Sequence, residues 1–148
     1  MAKSNIFLVG FMGTGKTTVS RQLSELLGYE EVDTDARIVR QQDRSIAEIF
    51  AAQGEQAFRE METELLQEIG EENHKIISCG GGMVLRQENV ALMREHGVVV
   101  LLKAEPETIF ERVRDDNGRP VLNGNMNVGY IRELMAKRMP YYQAAGEV

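Results

Sequence analysis

GFMGTGKT, residues 10–17, decides how this chain folds, because it fits G-x-x-x-x-G-K-[ST] in full. The stretch before it, NIFLVG at 5–10, is apolar and β-branched at its centre and reads as a buried strand. After it, from Lys16, Val19, Leu23, Leu26 and Leu27 recur on one helical face, with Gly28 just past the last. In a strand–loop–helix setting the glycines let main-chain N–H groups wrap a phosphate, and the helix N-terminus adds its positive end. Gly13, Thr14, Gly15, Lys16, Thr17 and Thr18 are the phosphate-binding candidates. Lys16 is placed to reach the β- and γ-phosphates of ATP and Thr17 to ligate Mg²⁺.

Working outward, a short strand falls around Glu31–Asp33 and helical sequence begins near Ala36. Ser45 and Glu48 have capping-box spacing, and Phe58, Met61, Leu65, Leu66 and Ile69 form the stripe of a longer helix. KIISC at 75–79 is a strand, then come three glycines and a helix over about 86–96. GVVVLLK at 97–103 is apolar enough for a strand buried on both faces, and Pro106 suits the first turn of the next helix. A polar segment, 115–125, precedes a last helix carrying Ile131, Leu134 and Met135. Four strands alternating with helices predict one α/β domain over 1–148 with a parallel sheet, its ligands beyond the carboxyl ends of the strands.

Composition narrows the function. The 148 residues, 43% hydrophobic, suffice for one core, and no apolar run approaches the ~20 residues of a membrane helix. The N-terminus lacks the small-residue cleavage site of a secretory signal, and a single cysteine fits a reducing, cytoplasmic setting. A net charge of −6 argues against a nucleic-acid partner but allows a small anion in an arginine-lined cleft. No N-K-x-D reads guanine, D-x-x-G at 115–118 follows a helix rather than a metal-side strand, and a motor ATPase needs more chain. A small-molecule kinase fits.

On the acceptor side, Asp33 and Asp35 in VDTDAR end the second strand at the same sheet edge as the loop. Such a pair commonly makes a solvated turn or a helix N-cap. Beside a phosphate loop, Asp33 is a candidate to hold the metal through water and Asp35 to take the proton of the attacking hydroxyl. Arg59 and Glu62, three apart, share a helical face. Arg59 and Arg138 could fork onto a carboxylate, and Arg119 lies on a lid-like loop.

G-x-x-G-x-G-K-T, D-T-D, F-R-x-x-E, a strand ending in G-G-G, R-P-x-L and A-K-R occur in that order, and the sequence resembles shikimate kinase from about residue 5 to 142. The resemblance implies a P-loop three-layer sandwich with a central parallel sheet, of the nucleoside-monophosphate-kinase type. It implies transfer of the ATP γ-phosphate to the 3-hydroxyl of shikimate by a monomer with a lid at about 115–125 and substrate-binding helices over about 34–62. Carried over, Asp35 binds the substrate hydroxyls, Arg59 and Arg138 the carboxylate, and Gly80, Gly81 and Gly82 line the ring. Lys16 and Arg119 act on the phosphates, Thr17 and Asp33 on magnesium, and Arg114 stacks on adenine. Glu62 orients Arg59, and Phe58 packs near the ring. A further strand and closing helix are expected beyond Val148. A gluconate-type or nucleoside-monophosphate-type kinase and a non-catalytic nucleotide-binding module are the competing readings.

Overall fold

Apolar strands that cannot satisfy their own backbone pair side by side, and here they do so in parallel. In the computed structural model, which describes residues 4–10, 15–103, 105–113 and 128–146, four strands form one sheet. They are β1 (Asn5–Val9), β2 (Glu30–Asp33), β3 (Lys75–Ser78) and β4 (Gly97–Leu101), in the order β2-β3-β1-β4. Ile6 aligns with Ile76 on one side and Val98 on the other, and Asp33 aligns with Ser78. The loops after β1, β3 and β2 therefore emerge side by side at one edge of the sheet.

Six helices flank the strands: α1 (Lys16–Leu27), α2 (Thr34–Gln42), α3 (Ile46–Ile69), α4 (Gln87–His96), α5 (Pro106–Val113) and α6 (Val128–Ala145). A 3₁₀ turn, Met83–Leu85, links the glycines to α4. Phe7, Val9, Ile77 and Val99 from the strands join Ile38, Ile49, Leu65 and Ile131 from the helices in one buried core. Each such side chain contributes about 1.5–3 kcal/mol by leaving water.

Local chemistry sets the boundaries. Gly28 closes α1, Pro106 opens α5, and the Ser45–Glu48 capping box forms reciprocally at 3.1 Å in both directions. The helix expected from Ala36 begins two residues earlier, because the Asp33 side chain accepts from the Ala36 N–H at 3.0 Å and caps it. The long helix breaks at Gly54, whose φ of 88° and ψ of 168° suit glycine and bend the backbone. β4 is only half-buried along its length, since it lies at an edge of the described sheet rather than in its interior. Among the described residues no helix is long and apolar enough to cross a membrane.

Candidate active site

The nucleotide side begins where β1 ends. Gly15, at φ 94°, turns the chain into α1, which starts at Lys16. The Lys16 ammonium donates to the Gly10 carbonyl at 2.8 Å and so lies back along the loop. Thr17 and Thr18 follow in the first turn of α1, both exposed. Gly13, Thr14, Arg114, Arg119 and the segment 115–125 lie outside the described residues.

The acceptor side is built from the ends of β2 and β3. Thr34, between the two aspartates, is buried. Its hydroxyl accepts from the Gly80 N–H at 2.9 Å and donates to the Ser78 carbonyl at 3.3 Å, tying the glycine turn to α2. Asp35, in the first turn of α2, is half-buried beside Gly80. The Arg59 guanidinium donates from Nη1 to Glu62 at 2.9 Å and from Nε and Nη2 to Glu55 at 3.3 and 3.2 Å. Burial works against its charge, but Glu62 and Glu55 outweigh this and raise its pKa further.

The glycines take their reason from these neighbours. A β-carbon at Gly80 would stand 2.7 Å from Glu62 Oε2 and 2.8 Å from Asp35 Oδ1. One at Gly82 would stand 2.5–2.6 Å from three atoms of the Arg59 guanidinium. Sequence reasoning assigned the missing β-carbons to room for a ligand; in the structure they first make room for the polar side chains themselves.

Glu62 is the least ordinary group here. It is wholly buried, and its Oε2 has no hydrogen-bond partner while Oε1 takes Arg59. Burial pushes its pKa up from 4.5 to about 7, against the pull of Arg59 and Arg138 and with a further push from Asp35. A carboxyl with a raised folded-state pKa keeps its proton where the unfolded chain has lost it. Stability therefore falls as pH rises from 4.5 to about 7, by up to about 1.4 kcal/mol per pH unit from this one group. Glu62→Gln is expected to flatten that fall, seen as melting temperatures of both proteins across the window; an unchanged slope would assign the linkage elsewhere.

Arg138 completes the group from α6. It is 7% exposed and acts electrostatically on Glu62 and on Tyr142, one turn later on the same helix. The Tyr142 hydroxyl donates to the Gly81 carbonyl at 2.5 Å. Phe58 is buried under Arg59, whose guanidinium carbon lies 5.4 Å from its ring centroid. Asp35, Arg59, Glu62, Gly80 and Gly82 thus lie together, with Arg138 acting on Glu62 from α6.

Asp33 spends Oδ1 on its capping bond to the Ala36 N–H. Cys79, buried at the end of β3, lies where the two halves meet. Burial pushes its thiol far up, Lys16 pulls it down, and Glu62, Asp35 and Asp33 push it up again. Such a thiol is unreactive. Thr34 and Tyr142 are the polar residues that sequence reasoning passed over. A hydroxyl between two site aspartates was the available signal for the first. For the second there was none short of the fold.

A parallel sheet with a lysine-bearing phosphate loop after β1 and a pocket of carboxylates and arginines beside it defines a P-loop kinase acting on a small polar molecule. The shikimate kinase family profile matches residues 12–148. Shikimate kinases of Caldicellulosiruptor bescii and Symbiobacterium thermophilum are 42% and 44% identical over 94% and 97% of this chain and 81% and 84% of their own lengths. The solved shikimate kinase of Acinetobacter baumannii in complex with shikimate superposes with a TM-score of 0.93 at 37% identity, covering 97% of this chain and 80% of that one. The chain belongs to the shikimate kinase family, and its fold is the nucleoside-monophosphate-kinase type of P-loop sandwich.

Proposed function

We propose that this chain transfers the γ-phosphate of ATP to the 3-hydroxyl of shikimate, with Asp35, Arg59 and Arg138 receiving the acceptor. The observation that carries this reading is the grouping of a partly buried arginine, Arg59, a buried one, Arg138, and two carboxylates around a turn of three glycines, next to a phosphate loop. A polyol carboxylate needs cations for one end and a hydrogen-bond acceptor for the other, and this pocket offers both. The relative of A. baumannii, solved with shikimate, supports the choice of acceptor.

In this reading Asp35 accepts the proton of the attacking hydroxyl, and Lys16 holds the γ-phosphoryl oxygens as charge develops on them. Gly13, Thr14, Gly15, Thr17 and Thr18 cradle the phosphates. Arg119 closes over them and Arg114 stacks on adenine, in a lid at about 115–125 of a single domain, 1–148. The Thr17 hydroxyl, in the first turn of α1, and the Asp33 carboxylate, at the end of β2, are hard oxygen donors that would hold Mg²⁺, which would supply positive charge against the phosphates. A monomer in the cytoplasm, contacting neither nucleic acid nor membrane, completes the reading.

Arg59→Ala separates acceptor binding from scaffold. Losing one partner of a buried charged pair costs about 2–5 kcal/mol, so the shikimate KM is expected to rise by roughly 30-fold or more with the ATP KM unchanged. The variant also leaves Glu62 buried without its cation, and its melting temperature should fall; adding Glu62→Gln should restore stability but not shikimate binding. Equal rises in both KM values would contradict the assignment. The reaction itself is tested by ³¹P and ¹H NMR of the product formed from Mg·ATP and shikimate. One phosphate ester, on the 3-hydroxyl, is expected, and an ester elsewhere would overturn the proposed geometry.

A further inference from the structure

Three successive glycines have no side chains to lock their peptide planes; the Met83 N–H closes the turn onto the Gly80 carbonyl at 3.1 Å, and the planes that this bond does not engage are held from outside. Gly80 is held through its N–H by Thr34. Gly82 lies against the Arg59 guanidinium. Between them, the peptide joining Gly81 to Gly82 is held by α6: Tyr142 Oη donates to the Gly81 carbonyl across 61 residues of sequence.

Tyr142 is 1% exposed, and the Arg138 guanidinium acts electrostatically on the same side chain. The two residues are four apart on α6 and share a face. Pro140 lies between them and cannot donate to the Ala136 carbonyl, so the helix is locally short of a bond where it carries both groups. The hydroxyl therefore holds a peptide plane in the glycine turn from the helix that also carries Arg138.

In a trans peptide the carbonyl of one residue and the N–H of the next point in opposite directions. With the Gly81 carbonyl turned to Tyr142, the Gly82 N–H is aimed away from α6. Without the hydroxyl, glycine's wide backbone freedom would let this plane rotate.

We propose that Tyr142 is a positioning residue for the acceptor, holding the Gly81–Gly82 peptide in the orientation that receives shikimate. The proposal rests on the acceptor reading above. It makes Tyr142 a determinant of shikimate affinity that touches neither nucleotide nor reacting atoms.

The test is Tyr142→Phe, which keeps the buried ring and removes one oxygen. Losing a buried hydrogen bond that orients binding groups is expected to raise the shikimate KM by about 5- to 30-fold. The ATP KM should stay put and kcat should remain within about twofold, because bound shikimate recovers the same geometry. An unchanged shikimate KM would overturn the proposal. So would a parallel rise in both KM values, or a lowered melting temperature with unaltered kinetics, since each assigns the hydroxyl to scaffold alone. If the parent protein does not phosphorylate shikimate, it is the acceptor reading that fails; if it does and the variant matches it, only Tyr142 loses its role.

Discussion

Asp35→Asn is expected to lower kcat by on the order of 10²–10⁴-fold, the usual contribution of a positioned general base. Asparagine keeps the shape of the side chain and its place in the first turn of α2, but it cannot take a proton from an attacking hydroxyl. The surroundings give the carboxylate this work. Asp35 Oδ1 stands beside Gly80 with Glu62 Oε2 converging on the same point, so the acceptor side holds two carboxylates in one small volume. Negative charge is favoured in the first turn of a helix, whereas Glu62, inside the protein, is pushed toward neutrality. One acid is thus placed to accept and the other to anchor Arg59. Because the α2 cap belongs to Asp33, the fold should survive, and the melting curve should overlay that of the parent. An unchanged kcat would show that no base at this position limits the reaction.

Lys16→Ala is the second large effect. The Lys16 ammonium donates to the Gly10 carbonyl at 2.8 Å, where β1 hands over to the phosphate loop. A preorganised cation spends little on reorganisation as charge builds on the transferring group, and removing such a contact costs on the order of 10²–10³-fold in kcat or more. Alanine extends α1 well, and the core residues of α1 and β1 are untouched. Loss of turnover should therefore come without loss of fold, measured by steady-state ADP release beside circular dichroism. Full-rate activity would remove Lys16 from the phosphate site.

The fold was legible wherever local chemistry and hydrophobic period agreed. Gly28, Pro106 and the Ser45–Glu48 box mark helix ends by mechanisms that act within a few residues, and the structure places all three as read. β4 was misjudged in its surroundings rather than its type: an apolar run carries no record of how many neighbours a strand has.

Of the site, the residues with marked chemistry at short spacing could be read: Lys16 in its loop, the aspartates of D-T-D, and Arg59 with Glu62 three residues on. What could not be read were partnerships across long sequence distance. Thr34 bonds to Gly80 and Tyr142 to Gly81 only because the sheet order brings β2 and α6 to the end of β3. The glycines were noticed for their cost, yet the atoms they make room for belong to Asp35, Glu62 and Arg59, which no pattern in the turn itself reveals. Glu62 was visible as a partner for Arg59, but not as a buried acid with one oxygen unmatched.

The most direct test of the central claim is ADP release from Mg·ATP by the unmodified chain in a coupled assay, with shikimate, gluconate, a nucleoside monophosphate and no acceptor run in parallel. Saturable turnover with shikimate, and only background with the other three, is the expected result. Turnover with gluconate or the monophosphate in place of shikimate would contradict it and show that the pocket beside Gly80 receives a different molecule.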